Sequence, residues 1–304
     1  MSRPKRLKDV WPFSKPKTPG FGIHAEFYLS ILASRARLPS VPEVIHPRGE
    51  GGAMVGFGVP LASSATKNDL TRPLERGVYA FSSKDQKTVL KARVVPRDEA
   101  GFDPEPFLRS PLGQAAPPEL GLRMRATWSL IQLTFESHDP MVYPALDFML
   151  DLAVRLSGLT DGVVADPISQ RYLLPEQVRF PARATPVDAR EWVALHSAPR
   201  EGAWTLYTLG LRKFAQPELE FTSVPEESVQ EAGAFLLGLS QSVLEGGLLR
   251  VDTRVGSSKA PFQVCAGGLD RRLWDGIPCF ELVPDRGRSL FDCFSAWRQE
   301  SSNL

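Results

Sequence analysis

Histidine and cysteine are the residue types in this chain that most often bind metals or act in catalysis. The histidines are His24, His46, His138 and His196, and the cysteines are Cys265, Cys279 and Cys293. No histidine has a partner at the spacing of a motif such as H-E-x-x-H, and the cysteines lie too far apart in sequence for a zinc motif. We therefore expect no metal and no cofactor, and the odd number of cysteines indicates reduced thiols.

Three polar residues in the middle of the chain are the best candidates for catalysis. His138 lies between Ser137 and Asp139, as in a hydrolase trio, but no G-x-S-x-G motif supplies a nucleophile, and helix capping by Asp139 explains these residues better. Asp166 and Arg171 flank a strand break in ADPISQRYLL. They form either a small polar site at a sheet edge or a turn in which Asp166 accepts backbone hydrogen bonds, and the pattern favours the turn.

The first twenty residues carry an excess of positive charge. Their cations are Arg3, Lys5, Arg6, Lys8, Lys15 and Lys17, and their single acidic residue is Asp9. This arm therefore has a charge of +5, and the remaining residues carry −4 because the whole chain is at +1. Four prolines and the lack of any apolar period predict a disordered arm. Its cations serve either solubility or a contact with nucleic acid or another anionic surface.

The middle of the chain has the pattern of a strand, a helix and a second strand. Residues 126–135 are rich in β-branched and aromatic residues with large apolar groups on both faces, which is typical of a strand inside a sheet. From 145 to 156 polar residues recur every four positions, and this narrow stripe predicts a mostly buried helix. The helix starts at either Pro140 or Pro144, and Gly158 ends it in the left-handed conformation.

Similar patterns predict further elements on either side of this stretch. Towards the N-terminus they are a strand at 25–32, which we favour over a short helix that periodicity alone does not exclude, and a hairpin at 77–95. Towards the C-terminus they are strands at 163–165, 172–174, 190–196, 203–211, 218–221, 248–255 and 262–266, and a short helix at 290–299. A longer helix has a capping box at Ser223 and Glu226 and ends at Gly246, and its internal Gly233 and Gly238 predict close packing on the sheet.

These elements predict an α+β protein with four segments. A disordered basic arm spans 1–20, a β-rich subdomain spans 21–95, a proline-rich linker or loop spans 96–121 and an α+β sandwich domain spans 122–304. In the sandwich we expect a mostly antiparallel sheet with two main helices packed on one face.

The segments 162–175 (GVVADPISQRYLLP) and 207–221 (YTLGLRKFAQPELEF) resemble members of an uncharacterised bacterial domain family of unknown function. The resemblance covers about 126–247. It implies a bacterial origin and an α+β architecture, and it carries over no catalytic residue.

Composition and motifs favour a binding protein over an enzyme. The chain has 304 residues, an ordinary globular composition, no apolar run long enough to span a membrane and no apolar signal-peptide core, so we expect a cytoplasmic protein without a membrane partner. The glycine-rich stretch 48–60 matches no phosphate-binding loop. We expect a non-enzymatic binding or protein-interaction protein whose ligand the sequence does not identify, and we expect its partner to be another protein. The alternatives are a hydrolase-like enzyme with a site assembled from distant residues and a nucleic-acid-binding protein that uses the basic arm.

Overall fold

The computed structural model describes residues 27–46, 55–61, 71–137, 142–178, 187–247, 249–285 and 287–301. The chain folds into two compact units. The N-terminal unit spans Ala25–Ala182, and the C-terminal unit contains Arg183–Leu304. In the described parts of the chain each unit contains one sheet, and the longest helix of each unit packs on that sheet. The protein has the predicted α+β fold with mainly antiparallel strands, and the two main helices pack on two different sheets.

The N-terminal unit is built on seven antiparallel strands. They are β1 (Tyr28–Ala33), β2 (Val55–Pro60), β3 (Gly77–Ser83), β4 (Val89–Pro96), β5 (Ser129–Ser137), β6 (Val163–Asp166) and β7 (Arg171–Leu173), in the sheet order β2-β3-β4-β5-β1-β6-β7. β3 and β4 are the predicted hairpin, and β5 is the predicted inner strand. β1 lies between β5 and β6, so the strand predicted at 25–32 is also confirmed.

One face of this sheet is covered by a long helix. The predicted helix at 145–156 forms within α6 (Val142–Leu159), which packs on β1 and β6 and on the short helix α1 (Val41–Ile45). Phe148, Leu152 and Leu156 of α6 are fully buried, as its single polar stripe predicted. The alternative start at Pro140 lies outside the described residues.

Four short helices lie between β4 and β5. They are α2 (Arg97–Ala100), α3 (Glu105–Leu108), α4 (Pro111–Ala115) and α5 (Pro118–Arg125). Leu120 and Met124 of α5 are buried against Leu32 and Leu130 of the sheet. The predicted linker at 96–121 therefore lies inside the N-terminal unit. The prolines of this segment predict that helices and strands are interrupted there. In the structure, Pro111 and Pro118 occupy first helical positions, where proline is favourable.

The C-terminal unit has a six-stranded mixed sheet. Its strands are β8 (Ala194–Arg200), β9 (Ala203–Leu209), β10 (Glu218–Val224), β11 (Arg254–Gly256), β12 (Pro261–Ala266) and β13 (Cys279–Pro284), in the order β11-β12-β13-β10-β9-β8. The helices are α7 (Ala189–Trp192), α8 (Val229–Leu244), α9 (Arg271–Trp274) and α10 (Leu290–Ser301). β10 and β13 are parallel, and the other pairs are antiparallel.

None of the helices in the described parts of either unit has the length and apolar character needed to cross a membrane.

An aromatic cluster fills the core between this sheet and its two longer helices. The ring of Phe221 on β10 lies 5.9 Å from Phe235 of α8, 5.1 Å from Phe262 of β12 and 5.3 Å from Phe294 of α10, measured between centroids. The contacts with Phe262 and Phe294 are edge-on and the contact with Phe235 is tilted, and such aromatic pairs add to the gain from burying apolar area. The helices therefore cover one face of the C-terminal sheet.

Two details of this unit differ from the sequence predictions. Ser223 lies within β10 with φ of 57°, and α8 begins at Val229, so the capping box at Ser223 and Glu226 does not form. A Cβ atom on Gly233 would lie 3.2 Å from Leu195, which confirms close packing there. Gly238 has nothing within 4 Å of the same position, so its predicted close packing is wrong.

Glycines at the end of α6 allow a matched test of the fold. Gly158 lies inside α6 with open space around it rather than in the predicted left-handed conformation, which Asp161 adopts at φ of 48°. We expect Gly158→Ala to stabilise the protein by about 0.5–1 kcal/mol because alanine has the higher helix propensity.

Gly162→Ala is the matched opposite case, because its Cβ would lie 2.5 Å from the carbonyl oxygen of Leu32. We expect it to destabilise the protein by about 1–3 kcal/mol through overpacking. Urea unfolding followed by circular dichroism measures both changes. Destabilisation by Gly158→Ala would contradict the helix boundary.

Candidate functional site

The structure brings two of the three predicted catalytic residues together. Asp166 ends β6 and Arg171 begins β7, and the two are paired across the turn between these strands. Asp166 is buried, and its Oδ1 accepts a hydrogen bond from the Ser169 backbone N–H at 3.2 Å. This is the contact expected of a carboxylate that stabilises a turn. His138 lies outside the described residues, so its part in a site with Asp166 and Arg171 stays a prediction.

The predicted anion-binding arm also lies outside the described residues. Its cations are Arg3, Lys5, Arg6, Lys8, Lys15 and Lys17. Binding of nucleic acid through them therefore stays a prediction.

A buried carboxylate organises the turn between β9 and β10. Glu218 is fully buried, and its oxygens accept hydrogen bonds from the backbone N–H groups of Gly210, Leu211 and Arg212 at 2.8, 3.2 and 3.1 Å. The hydroxyl of Thr208 donates a fourth hydrogen bond at 2.8 Å. Burial raises the pKa of Glu218, and these four hydrogen bonds oppose that rise. The carboxylate thus caps the short 3-10 helix at Leu211–Phe214, whose first N–H groups would otherwise be buried without acceptors.

Gly210 is required in this turn for two reasons. Its φ is 133°, a conformation that L-residues with a side chain rarely adopt. A Cβ atom there would also lie 2.2 Å from the carbonyl oxygen of Trp192. The close approach of these two backbone segments therefore depends on a residue without a side chain.

A second buried carboxylate lies two residues further along β10. Glu220 is 2% exposed, and its Oε1 accepts a hydrogen bond from the Gly268 backbone N–H at 2.7 Å. Its Oε2 accepts one from the indole N–H of Trp274 at 2.7 Å. Glu220 thereby ties the segment that contains α9 to the sheet.

The face of the C-terminal sheet that carries Glu220 contains a cavity of about 410 Å³. Its residues come from β8, β9, β10, β13 and the start of the α9 segment: Ala198, Pro199, Arg200, Thr205, Glu220, Thr222, Leu269, Asp270, Leu273 and Glu281. Glu220 is the deepest of its charged groups, whereas Leu269 is 83% exposed. The cavity therefore combines a polar interior with an exposed apolar residue beside it.

Charge in this cavity is unbalanced. Glu220, Asp270 and Glu281 face one cationic side chain, that of Arg200. Glu281 accepts a hydrogen bond from the hydroxyl of Thr222, and Asp270 accepts one from the Arg272 backbone N–H at 2.9 Å. Within the described parts of the chain, no ion pair involves any of these three carboxylates. The lining thus carries a net charge of −2 when the carboxylates are ionised.

A row of aromatic rings continues from the cavity along the same face. Tyr207 pairs with Glu220 across the strands, and its ring stacks on His196 with centroids 5.6 Å apart. The ring of Trp274 meets Tyr207 edge-on at 5.4 Å. These contacts hold α9 against the sheet and fix one side of the cavity.

The cysteines of this unit are all free thiols. Burial raises the pKa of the Cys279 thiol, and the charges of Glu220 and Glu218 raise it further. Burial also raises the pKa values of Cys265 and Cys293. All three are therefore protonated near neutral pH and poor nucleophiles.

Within the described residues, no group of three or more His, Cys, Asp or Glu side chains is arranged to hold a metal ion. Comparison with family models, curated proteins and solved structures found no match for this chain. The resemblance to a bacterial domain family therefore stays a prediction.

The carboxylates of β10 were missed at the sequence level although a signal was present. In the stretch PELEF, Glu218 and Glu220 alternate with Leu219 and Phe221 inside a predicted strand. Because alternate residues of a strand point to the same face, this pattern places two acids on one face and two apolar groups on the other. Acidic residues are rarely buried in a sheet unless other groups bind them, so this pattern indicates that Glu218 and Glu220 have hydrogen-bond partners.

Replacement of Glu218 tests its role in the turn. We expect Glu218→Gln to destabilise the C-terminal unit by about 1–3 kcal/mol, because an amide group would present N–H donors to backbone donors and leave at least one of them without an acceptor. The exposed residue Glu227 provides the control, and Glu227→Gln should change stability by less than about 0.5 kcal/mol. Urea unfolding followed by tryptophan fluorescence is suitable, since four of the six tryptophans lie in residues 183–304. Equal effects of the two substitutions would contradict the capping role.

Proposed function

We propose that this chain is a non-enzymatic binding protein that holds another protein through the cavity of its C-terminal unit. The observation that carries the proposal is the cavity itself, whose volume of about 410 Å³ lies within the range of about 300–1,000 Å³ typical of small-molecule sites and is therefore large enough to accept a side chain of a bound protein. Hydroxyl and carboxylate groups on its walls provide directional contacts, and the exposed Leu269 beside it provides apolar area.

The chemistry of the cavity favours binding over catalysis. Glu220 uses both oxygens to hold Gly268 and Trp274, which suits a fixed wall better than a group that exchanges protons. The protonated state of Cys279 on the neighbouring strand disfavours a thiolate nucleophile. We also infer a cytoplasmic location, since three free cysteines fit a reducing compartment.

A matched pair of substitutions on β8 tests this proposal. Ala198 lines the cavity, whereas the preceding residue, Ser197, is exposed and points to the opposite face of the sheet. We expect Ala198→Trp to fill the cavity and Ser197→Trp to leave it open. Each tagged full-length variant is incubated with an extract of the source organism, and captured proteins are identified by mass spectrometry.

The expected result is a protein that the wild type and Ser197→Trp capture and that Ala198→Trp does not. Thermal unfolding of both variants shows whether each remains folded. Capture of the same proteins by all three would contradict the proposed site.

A further inference from the structure

We propose that the group entering the cavity is the cationic end of an arginine or lysine side chain on the bound protein. This inference rests on the proposed binding function and names the chemistry that the cavity recognises.

Glu220 is a buried carboxylate without a cationic partner among the described residues. It is 2% exposed, and the groups that donate hydrogen bonds to its oxygens, the Gly268 N–H and the Trp274 indole N–H, are neutral. Both donors match an ionised carboxylate, which only accepts hydrogen bonds. Buried charges in proteins are normally paired, because neutral hydrogen bonds offset only part of the desolvation cost. A cation that enters the cavity would supply the counter-charge that these neutral donors cannot provide.

The other acidic residues of the cavity also favour a ligand with positive charge. Glu281 on β13 and Asp270 beside α9 line different walls, and Arg200 at the end of β8 is exposed. A cationic group between these walls would therefore meet carboxylates on more than one side. Arginine is especially well suited, because the guanidinium group has five N–H donors in a planar fork.

The rim of the cavity is apolar and can contact the methylene groups of a bound arginine or lysine side chain. Leu269 is 83% exposed, and Leu273 and Pro199 also line the cavity. Arginine and lysine cover apolar surface with their methylene groups while their charged ends reach polar groups. A bare metal ion would use none of these apolar contacts, and the described residues include no set of three ligands that could hold one.

The probe for this inference is the peptide acetyl-Ala-Leu-Arg-Ala-amide, and its control replaces arginine with citrulline, which has the same shape and no charge. Each is titrated into the ¹⁵N-labelled full-length protein. We expect the arginine peptide to shift the NMR signals of the Trp274 indole N–H and the Gly268 amide, because both groups donate to Glu220. The citrulline peptide should bind about tenfold more weakly or not at all.

Two charge-neutralising variants complete the test. Glu281→Gln should weaken binding of the arginine peptide about tenfold, and the exposed control Glu227→Gln should leave it unchanged. Glu220→Gln should weaken binding at least as strongly, but it also removes a support of α9. For this reason Glu281→Gln is the decisive variant. Equal binding of the two peptides, equal binding by wild type and Glu281→Gln, or the absence of shifts at Trp274 and Gly268 would overturn the inference.

Failure of this inference is distinguishable from failure of the proposed function. If Ala198→Trp abolishes protein capture while the arginine and citrulline peptides behave alike, the cavity binds a partner through a group other than a cation. If Ala198→Trp has no effect on capture, the binding site itself is misplaced.

Discussion

The hydrogen bonds of Glu218 fix the turn between β9 and β10, the strand that also carries the buried Glu220 of the cavity. Three backbone N–H groups at the start of the Leu211–Phe214 turn point at one carboxylate, and the hydroxyl of Thr208 completes the set. Buried N–H groups are costly when they lack an acceptor, so this turn and the carboxylate require each other. Thr208 also accepts a hydrogen bond from the Leu219 N–H at 2.9 Å, which joins the turn to both strands that it connects.

The strand that follows this turn, β10, contributes one face to the aromatic core and the other face to the turn and the cavity. On one face of β10, Leu219 and Phe221 enter the aromatic core beneath α8 and α10. On the other face, Glu218 stabilises the turn and Glu220 borders the cavity. A shift of the strand by one residue would bury the acids in the aromatic core and expose the apolar groups. The same alternation therefore determines both the core and the chemistry of the cavity.

Long periodic elements could be predicted from the sequence, whereas elements defined by tertiary contacts could not. The helix α6 and the hairpin of β3 and β4 have clear periods, and both form close to the predicted positions. The short helices α2 to α5 were missed because proline was interpreted as a break, although Pro111 and Pro118 start helices. Residues 190–192 were assigned to a strand but form α7, since a four-residue segment contains too little pattern to separate the two states.

The cavity was beyond prediction for a different physical reason. Ala198, Thr205, Glu220 and Glu281 belong to four strands, and only the order β13-β10-β9-β8 brings them to one face. The sequence does contain the alternation of acids in PELEF, which indicates a buried polar face without indicating what lies opposite it. The turn contact of Asp166 could be predicted because its partner is close in sequence: Asp166 Oδ1 accepts a hydrogen bond from the Ser169 N–H.

The arrangement of Glu220 has a consequence for selectivity. Because its carboxylate is held from two sides by Gly268 and Trp274, it cannot turn away from the cavity without breaking both hydrogen bonds. Compared with the proposed cationic ligand, a neutral group of the same shape would fill the space but leave the buried charge without a counter-charge. A fixed buried acid thus discriminates by charge more strongly than a mobile surface acid, whose side chain can return to water when no cation is present.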